Sequence, residues 1–279
     1  MTERRAYVNG RIVPLSKASV NIEDRGFLYG DGVFETIRVA GGRCVRLERH
    51  LARLSSGART LGIAGLPDAP VLAEAIASVL DANHLTDARV RLTVTRGLAA
   101  GPGISSNSAG SPTVVITAGG LPRSKPEPAR VIISSISRDE RSPLSSVKSL
   151  NYLPGILALN EARQAGADDA ILLNTCGSVA EGTVGNIFLV KDRTLVTPSL
   201  DQGVLAGTVR TALIELASQL GLEVDERAVD PAELMKADEV FLTNAIAIVR
   251  PVRDIAGQAV GSGKWPVSEK IREAVLDHG

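Results

Sequence analysis

SSVKSLNYLPGILALNEARQAGADDAILLN, residues 145–174, sets Lys148 ahead of a segment with helical periodicity that runs through Gly-Ala-Asp-Asp into an apolar strand. The spacing predicts a helix over 153–165 and a strand over 169–174, with another strand before them at 129–136. A lysine at the mouth of so apolar a unit needs a reason. An ordinary lysine is a solvated surface charge, because burying an ammonium is costly unless it is deprotonated or hydrogen-bonded.

Downstream, the apolar runs NIFLV (186–190) and TLVTP (194–198) read as strands joined at Lys191-Asp192-Arg193. GTVRTALIELASQLG (207–221) is a strongly amphipathic helix that Gly221 stops, and a last helix is expected over about 267–276. Upstream, GGLPRSKPEPAR places three prolines in a polar stretch. It divides the chain into a domain over 1–120, a linker over 121–128 and a domain over 129–279. In the first domain, AYVNGRIVP reads as a hairpin around Asn9-Gly10. A strand then turns at Gly41-Gly42 into a helix beginning near Leu47, with His50, Leu51, Leu54 and Leu61 at near-helical spacing. A helix over 71–82 and strands over 89–97 and 112–120 follow, and the Gly, Ser and Pro-rich loop 98–111 has the character of a lid. Strands and helices mix without strict alternation, which predicts two mixed α/β (α+β) domains rather than a doubly wound sheet.

At 279 residues the chain can bury the cores of two modest domains or one large one, and 44% hydrophobic with 22% charged residues is ordinary for a globular protein. Lys plus Arg total 31 and Asp plus Glu total 31, so no net field draws it onto nucleic acid or an anionic membrane. A small ligand held by a local field is expected instead. Cys44 and Cys176 are too few for a disulfide framework and lack zinc-ligand spacing, so no metal site is expected. They read as small buried hydrophobes in a reducing compartment. MTERRAYVNGRIVPL builds no signal-peptide core, and no apolar run approaches the ~20 residues of a membrane span, so the expected setting is the cytoplasm.

Three features of the second half belong together. Lys148 precedes a helix, Glu181 lies in the small-residue stretch SVAEGTVGNIFLV, and LAGTVR (205–210) runs into an amphipathic helix. The start of that helix offers the backbone N–H groups of Gly207, Thr208 and Val209 and the positive end of a dipole, a site for phosphate if it is more than a cap. A lysine beside a phosphate pocket has one common use, an imine with pyridoxal phosphate. A carboxylate such as Glu181 beside the cofactor's ring nitrogen would keep that nitrogen protonated. Unlinked to the others, Glu181 would be an exposed turn residue.

GDGVFETIRV, HLARL, KSLNYLPGILALNEARQAGADDAILLN, VAEGTVGNIFLV, LAGTVR and ADEVFLTNAIAIVRPVRDIAGQAVGSG resemble the successive motifs of the class IV pyridoxal-phosphate aminotransferases, in a match that keeps family order and spreads from about residue 7 to 276. That family holds branched-chain and D-amino-acid aminotransferases, (R)-selective amine transaminases and aminodeoxychorismate lyase. The resemblance implies the two-domain D-amino-acid-aminotransferase-like fold (fold type IV), pyridoxal 5′-phosphate as cofactor, and a homodimer or larger homo-oligomer. It makes Lys148 the Schiff-base and proton-shuttling lysine and Glu181 the partner of the ring nitrogen. Arg53 becomes a phosphate ligand with the N–H groups of Thr208 and Val209, and Tyr152 the partner of the phenolic oxygen. Thr243, Asn244 and Ala245 occupy the family's second phosphate-binding turn. The family's threonine is Ala245 here, so Thr243 is its possible substitute.

The resemblance places Tyr29, Phe34, Arg38, Ala245 and Ile246 around the substrate. Typical D-amino-acid enzymes carry an arginine and a histidine after Thr95-Arg96-Gly97, and neither is present in LAAGPGIS. The implied reaction is transamination between an aliphatic, branched-chain amino acid and a 2-oxo acid such as 2-oxoglutarate, with D-amino-acid or (R)-amine side activity open. The alternatives are aminodeoxychorismate lyase and, from another class, a cofactor-free binding or scaffold protein.

Overall fold

Alternating side-chain character builds the first sheet. The computed structural model describes residues 3–98, 103–105, 110–122 and 124–277. Its contacts divide the chain into two units, Met1–Arg123 with Val147–Asn151, and Ser124–Ser146 with Tyr152–Gly279.

In the first unit, β1 (Arg5–Val8) and β2 (Arg11–Pro14) flank Asn9 and Gly10, whose positive φ values of 45° and 88° make the hairpin turn. There follow α1 (Arg25–Tyr29), β3 (Gly32–Ala40), β4 (Arg43–Cys44), α2 (Leu47–Thr60), α3 (Ala69–Ala82), β5 (Ala88–Thr95) and β6 (Thr113–Gly120). The six strands run antiparallel in the order β2-β1-β6-β5-β3-β4. Val33, Ile37 and Val39 of β3 join Val90, Leu92 and Val94 of β5 on one face, against Leu51 and Leu54 of α2 and Leu72 and Ile76 of α3. Helix α3 begins at Ala69, earlier than periodicity suggests, because Pro70 suits a first turn. The segment Val147–Asn151 lies along β3: Phe34 N–H donates to Lys148 O at 3.0 Å, and Leu150 N–H to Gly32 O at 2.9 Å. Most of the expected lid, 99–102 and 106–109, lies outside the described residues.

The second unit contains β7 (Ala129–Ile133), α4 (Leu153–Gln164), β8 (Asp169–Leu173), β9 (Val179–Gly182), β10 (Asn186–Lys191), β11 (Thr194–Pro198), α5 (Thr208–Leu216), β12 (Glu223–Arg227), α6 (Pro231–Leu234), β13 (Glu239–Asn244), β14 (Ile248–Ile255), β15 (Gln258–Ala259) and α7 (Pro266–Asp277). Its mixed sheet runs β12-β11-β10-β13-β14-β7-β8-β9, with β15 on β14. The continuous apolar runs in β10 and β13 arise because both faces are covered. Ile187, Leu189, Val240 and Leu242 enter one core, while Phe188, Val190 and Phe241 enter another with Leu213 of α5 and Ile271 of α7. Helix α4 lays Ala158 and Ala162 on Ala170 and Leu172.

The structure departs from the sequence reading in several places. Strand β7 ends at Ile133, and α5 ends at Leu216, after which Ser218–Leu220 tightens into a 3₁₀ turn before Gly221 at φ 69°. The short elements α1, β9, β12 and α6 and the hairpin β13–β14 had no separate signal. Cys44 is half-buried at the edge of the first core, where burial pushes its thiol up. Cys176 is exposed rather than buried, because Asn174 Oδ1 caps a turn by accepting from Cys176 N–H and Ser178 N–H. Among the described residues, no helix is long and apolar enough to cross a membrane, and no three His, Cys, Asp or Glu side chains are grouped to hold a metal.

Candidate functional site

In the first unit the lysine and two arginines gather around β3. Lys148 Nζ lies 4.5 Å from the centroid of the buried Phe34 ring, and Arg91 Cζ lies 3.9 Å from the same centroid. The next residue, Glu35, faces the opposite way into the core. Its carboxylate is fully buried and accepts from Arg53 Nε and Nη2, both at 2.7 Å, while His50 Nδ1 lies 2.6 Å away. Burial alone would raise the Glu35 carboxyl, but the hydrogen bonds and charges of His50 and Arg53 outweigh it and hold the group below its ordinary 4.5. Helix α2 lies close to the lysine segment at Gly57, one turn beyond Arg53, where a Cβ would come within 3.2 Å of Val147 and Val33.

Sequence reasoning passed over Glu35 and gave His50 only a place on a helix face. The signal was present: VFETIRV alternates, so Val33, Glu35, Ile37 and Val39 share the inward face, and a carboxylate there demands a cation.

The outward face of the same sheet is cationic. Register sets Thr36 opposite Arg91 and Arg38 opposite Arg89, and Arg4, Arg89 and Arg91 with Thr36 and Thr117 line a cleft of about 270 Å³. Like charges opposed across strands repel, so this face suits an anionic ligand that relieves them. Arg96 serves another purpose: its side chain is nearly buried and donates to Asp31, Leu61 O and Gly62 O. Tyr29, at the end of α1, is exposed with its ring 5.0 Å from Arg25 Cζ.

In the second unit the predicted residues meet at Asn186. Its Nδ2 donates to Leu205 O at 2.8 Å and reaches Glu181 Oε2 at 3.5 Å, and Leu205 N–H donates to that oxygen at 3.1 Å. Arg138 Nη1 lies 2.9 Å from Glu181 Oε1. Gly207, the cap of α5, sits so close that a Cβ would overlap Asn186 Oδ1. This contact fixes the start of α5, whose first N–H groups include those of Thr208 and Val209. Asn186 pairs in register with Thr243, whose hydroxyl is fully buried, 1% exposed as a residue, and without a partner among the described residues. Asn244 Oδ1 accepts from Ile246 N–H and Ala247 N–H at 3.0 and 2.8 Å, so it shapes the turn that carries Ala245. Tyr152 is half-buried at the first turn of α4. The sequence reading missed Asn186 and Arg138, although a polar residue heading the apolar strand NIFLV was a visible anomaly.

Each unit by itself carries donors of the kinds a phosphorylated pyridine aldehyde takes: an arginine and a lysine amine in the first, a helix start and a buried acid in the second.

Residues 32–255 match the profile of the family described as amino-transferase class IV. A Methanocaldococcus jannaschii protein, provisionally named a branched-chain-amino-acid aminotransferase, is 38% identical over 98% of this chain and 96% of its own. The D-alanine aminotransferase of Bacillus licheniformis is 36% identical over 97% of this chain and 95% of its own. The T.th. branched-chain amino acid aminotransferase with pyridoxamine 5′-phosphate superposes with a TM-score of 0.92 at 30% identity, covering 99% of this chain and 94% of that one.

Proposed function

We propose that this chain, which belongs to the amino-transferase class IV family, is a pyridoxal 5′-phosphate-dependent transaminase acting between an aliphatic, branched-chain amino acid and a dicarboxylic 2-oxo acid such as 2-oxoglutarate. The observation that carries this reading is the Phe34 ring, with the Lys148 amine on it and the Arg91 guanidinium of an arginine-lined cleft beside it. It sets an amine that can take a carbonyl next to cations that can hold carboxylates.

Bound pyridoxal phosphate supplies an aldehyde and a ring that accepts electrons when the substrate Cα–H bond breaks. Lys148 would be the residue that holds the aldehyde, and its amine the group that moves the proton at the substrate Cα. Arg53, two of whose nitrogens are fixed by Glu35, presents its guanidinium to the phosphate at a set angle. In the second unit, the N–H groups of Thr208 and Val209 at the start of α5 would be phosphate donors. Glu181 would partner the ring nitrogen, and the Tyr152 hydroxyl would partner the phenolic oxygen. Arg38, Arg89 and Arg91 of the first unit would orient the carboxylates, Phe34 and Tyr29 of that unit would limit the side chain, and Ala245 and Ile246 are the second unit's candidates for substrate contact.

Steady-state assays with L-leucine, D-alanine and (R)-1-phenylethylamine against 2-oxoglutarate test the reading. Transfer from L-leucine is expected; no transfer from any donor overturns it, and pyruvate with 4-aminobenzoate formed from aminodeoxychorismate without an acceptor selects the lyase. A colourless protein that takes up no pyridoxal phosphate selects the scaffold.

We also infer a homo-oligomer. Phe27, Leu28, Tyr29 and the nearby Ile22 are exposed, Phe27 by 73%, on so short a helix that a second copy is the natural cover. Sedimentation equilibrium tests it. The unpaired Cys44 and Cys176 support a cytoplasmic setting.

A further inference from the structure

The Arg138 guanidinium of the second unit is held on three sides. Arg138 belongs to the segment after β7, where its N–H donates to Leu173 O at 2.8 Å. Its Nε donates to Gly203 O at 2.6 Å, its Nη2 to Ser145 O at 2.8 Å, and its Nη1 faces Glu181 Oε1 at 2.9 Å. The two carbonyls fix the plane of the fork without cancelling its charge, and an arginine cannot give that charge up. The Glu181 carboxylate is therefore gripped on one oxygen by a permanent cation and on the other by Leu205 N–H.

We propose that Arg138 is a positioning residue that keeps Glu181 anionic and aimed, so that the proton shared by this carboxylate and a pyridine nitrogen resides on the nitrogen. The inference rests on the reading of Glu181 given above. In a water-poor site, a proton between a carboxylate and a pyridine can sit on either. A cation held against the carboxylate lowers its hold on the proton and favours the charged pair. Only a protonated ring draws electrons strongly from a breaking Cα–H bond, so the arginine acts on the cofactor through the acid.

The test loads apoprotein with ring-¹⁵N pyridoxal phosphate and reads the nitrogen's chemical shift, which separates protonated from unprotonated pyridine without turnover. Wild type is expected at the protonated position and Glu181→Gln at the unprotonated one. Arg138→Met should lose the protonated signal and move to the Glu181→Gln position. If Glu181→Gln leaves the shift unchanged, the reading of Glu181 itself falls. If Glu181→Gln moves it and Arg138→Met does not, the inference about Arg138 is overturned while that reading stands. Should Arg138→Met fail to fold, Arg138→Lys decides, because its charge can be switched off by pH in one folded protein. Its ring nitrogen should be protonated near neutrality and lose the proton as the introduced amine titrates, ordinarily near 10.4, while wild type holds it over the same range. An Arg138→Lys variant that tracks wild type through that titration overturns the inference.

Discussion

Each unit uses an arginine and a carboxylate, and the two pairs divide the work in opposite ways. In the roles proposed for them, Arg53 is the working member of the first and Glu35 the support, while Glu181 is the working member of the second and Arg138 the support. The supports differ in burial. The Glu35 side chain is 0% exposed and meets its partners only through side chains, whereas Arg138 is 24% exposed and is tied to two backbone carbonyls. A buried carboxylate held by side chains is an element of the core, so removing it should strongly destabilise the fold. A guanidinium clipped to backbone at the edge of water is a means of setting charge, so removing it should leave a fold with altered chemistry.

The largest expected effect therefore belongs to Glu35→Ala. It strands the Arg53 guanidinium and a histidine nitrogen in the core, and breaking one side of a buried pair costs about 3–5 kcal/mol. Denaturant midpoints should fall accordingly, with weakened cofactor uptake as Arg53 loses its set angle. A change near zero would erase the distinction between the two supports. Gly207→Ala comes next, because its Cβ overlaps Asn186 Oδ1 and the overlap can be relieved only by shifting α5 or Asn186. Overpacking costs about 1–3 kcal/mol, and cofactor affinity should drop, read by fluorescence titration of apoprotein. An unchanged affinity would remove the start of α5 from the phosphate site.

Acid sharpens the comparison further. Burial raises the Glu35 carboxyl, but His50 and Arg53 outweigh it and leave the group below 4.5. A group whose folded value is depressed binds its proton more readily in the unfolded chain, so its contribution is complete above about pH 4.5 and is lost as pH falls through the folded value. Glu35→Gln should therefore differ from wild type in stability at pH 7 and converge on it as the pH drops below 4.5. A gap that stays constant with pH would mean that shape, not charge, makes Glu35 a support.

The same contrast explains what the sequence could reveal. Lys148, Glu181, Arg53 and the start of α5 stand in motifs, and the strands and helices around them follow from periodicity. Glu35 was legible in register, since alternation puts it among Val33, Ile37 and Val39. Arg138 was not. It sits in SRDERSP beside Arg141, and nothing local marks which arginine turns inward; only folding brings Ser145, Gly203 and Glu181 around one and leaves the other 86% exposed. Asn186 shows the intermediate case, where a polar strand head was visible but its partners, Leu205 and Gly207, come from beyond the next strand.

Distance alone does not distinguish a working pair from an idle one, and the smallest prediction makes this measurable. Lys125 Nζ and Glu269 Oε1 are 2.9 Å apart, the same separation as Arg138 and Glu181. Their side chains, however, are 48% and 55% exposed, so water and salt screen the charges and two long side chains must be ordered to bring them together. Lys125→Ala should change stability by no more than about 0.5 kcal/mol, and less still in molar salt. Arg138→Met, at equal separation, should alter the ring nitrogen's protonation at any salt concentration, because its partner is turned away from water. If the two substitutions proved equally silent, the pair at Glu181 would be one more surface contact, and the reversal of roles between the units would rest on Glu35 alone.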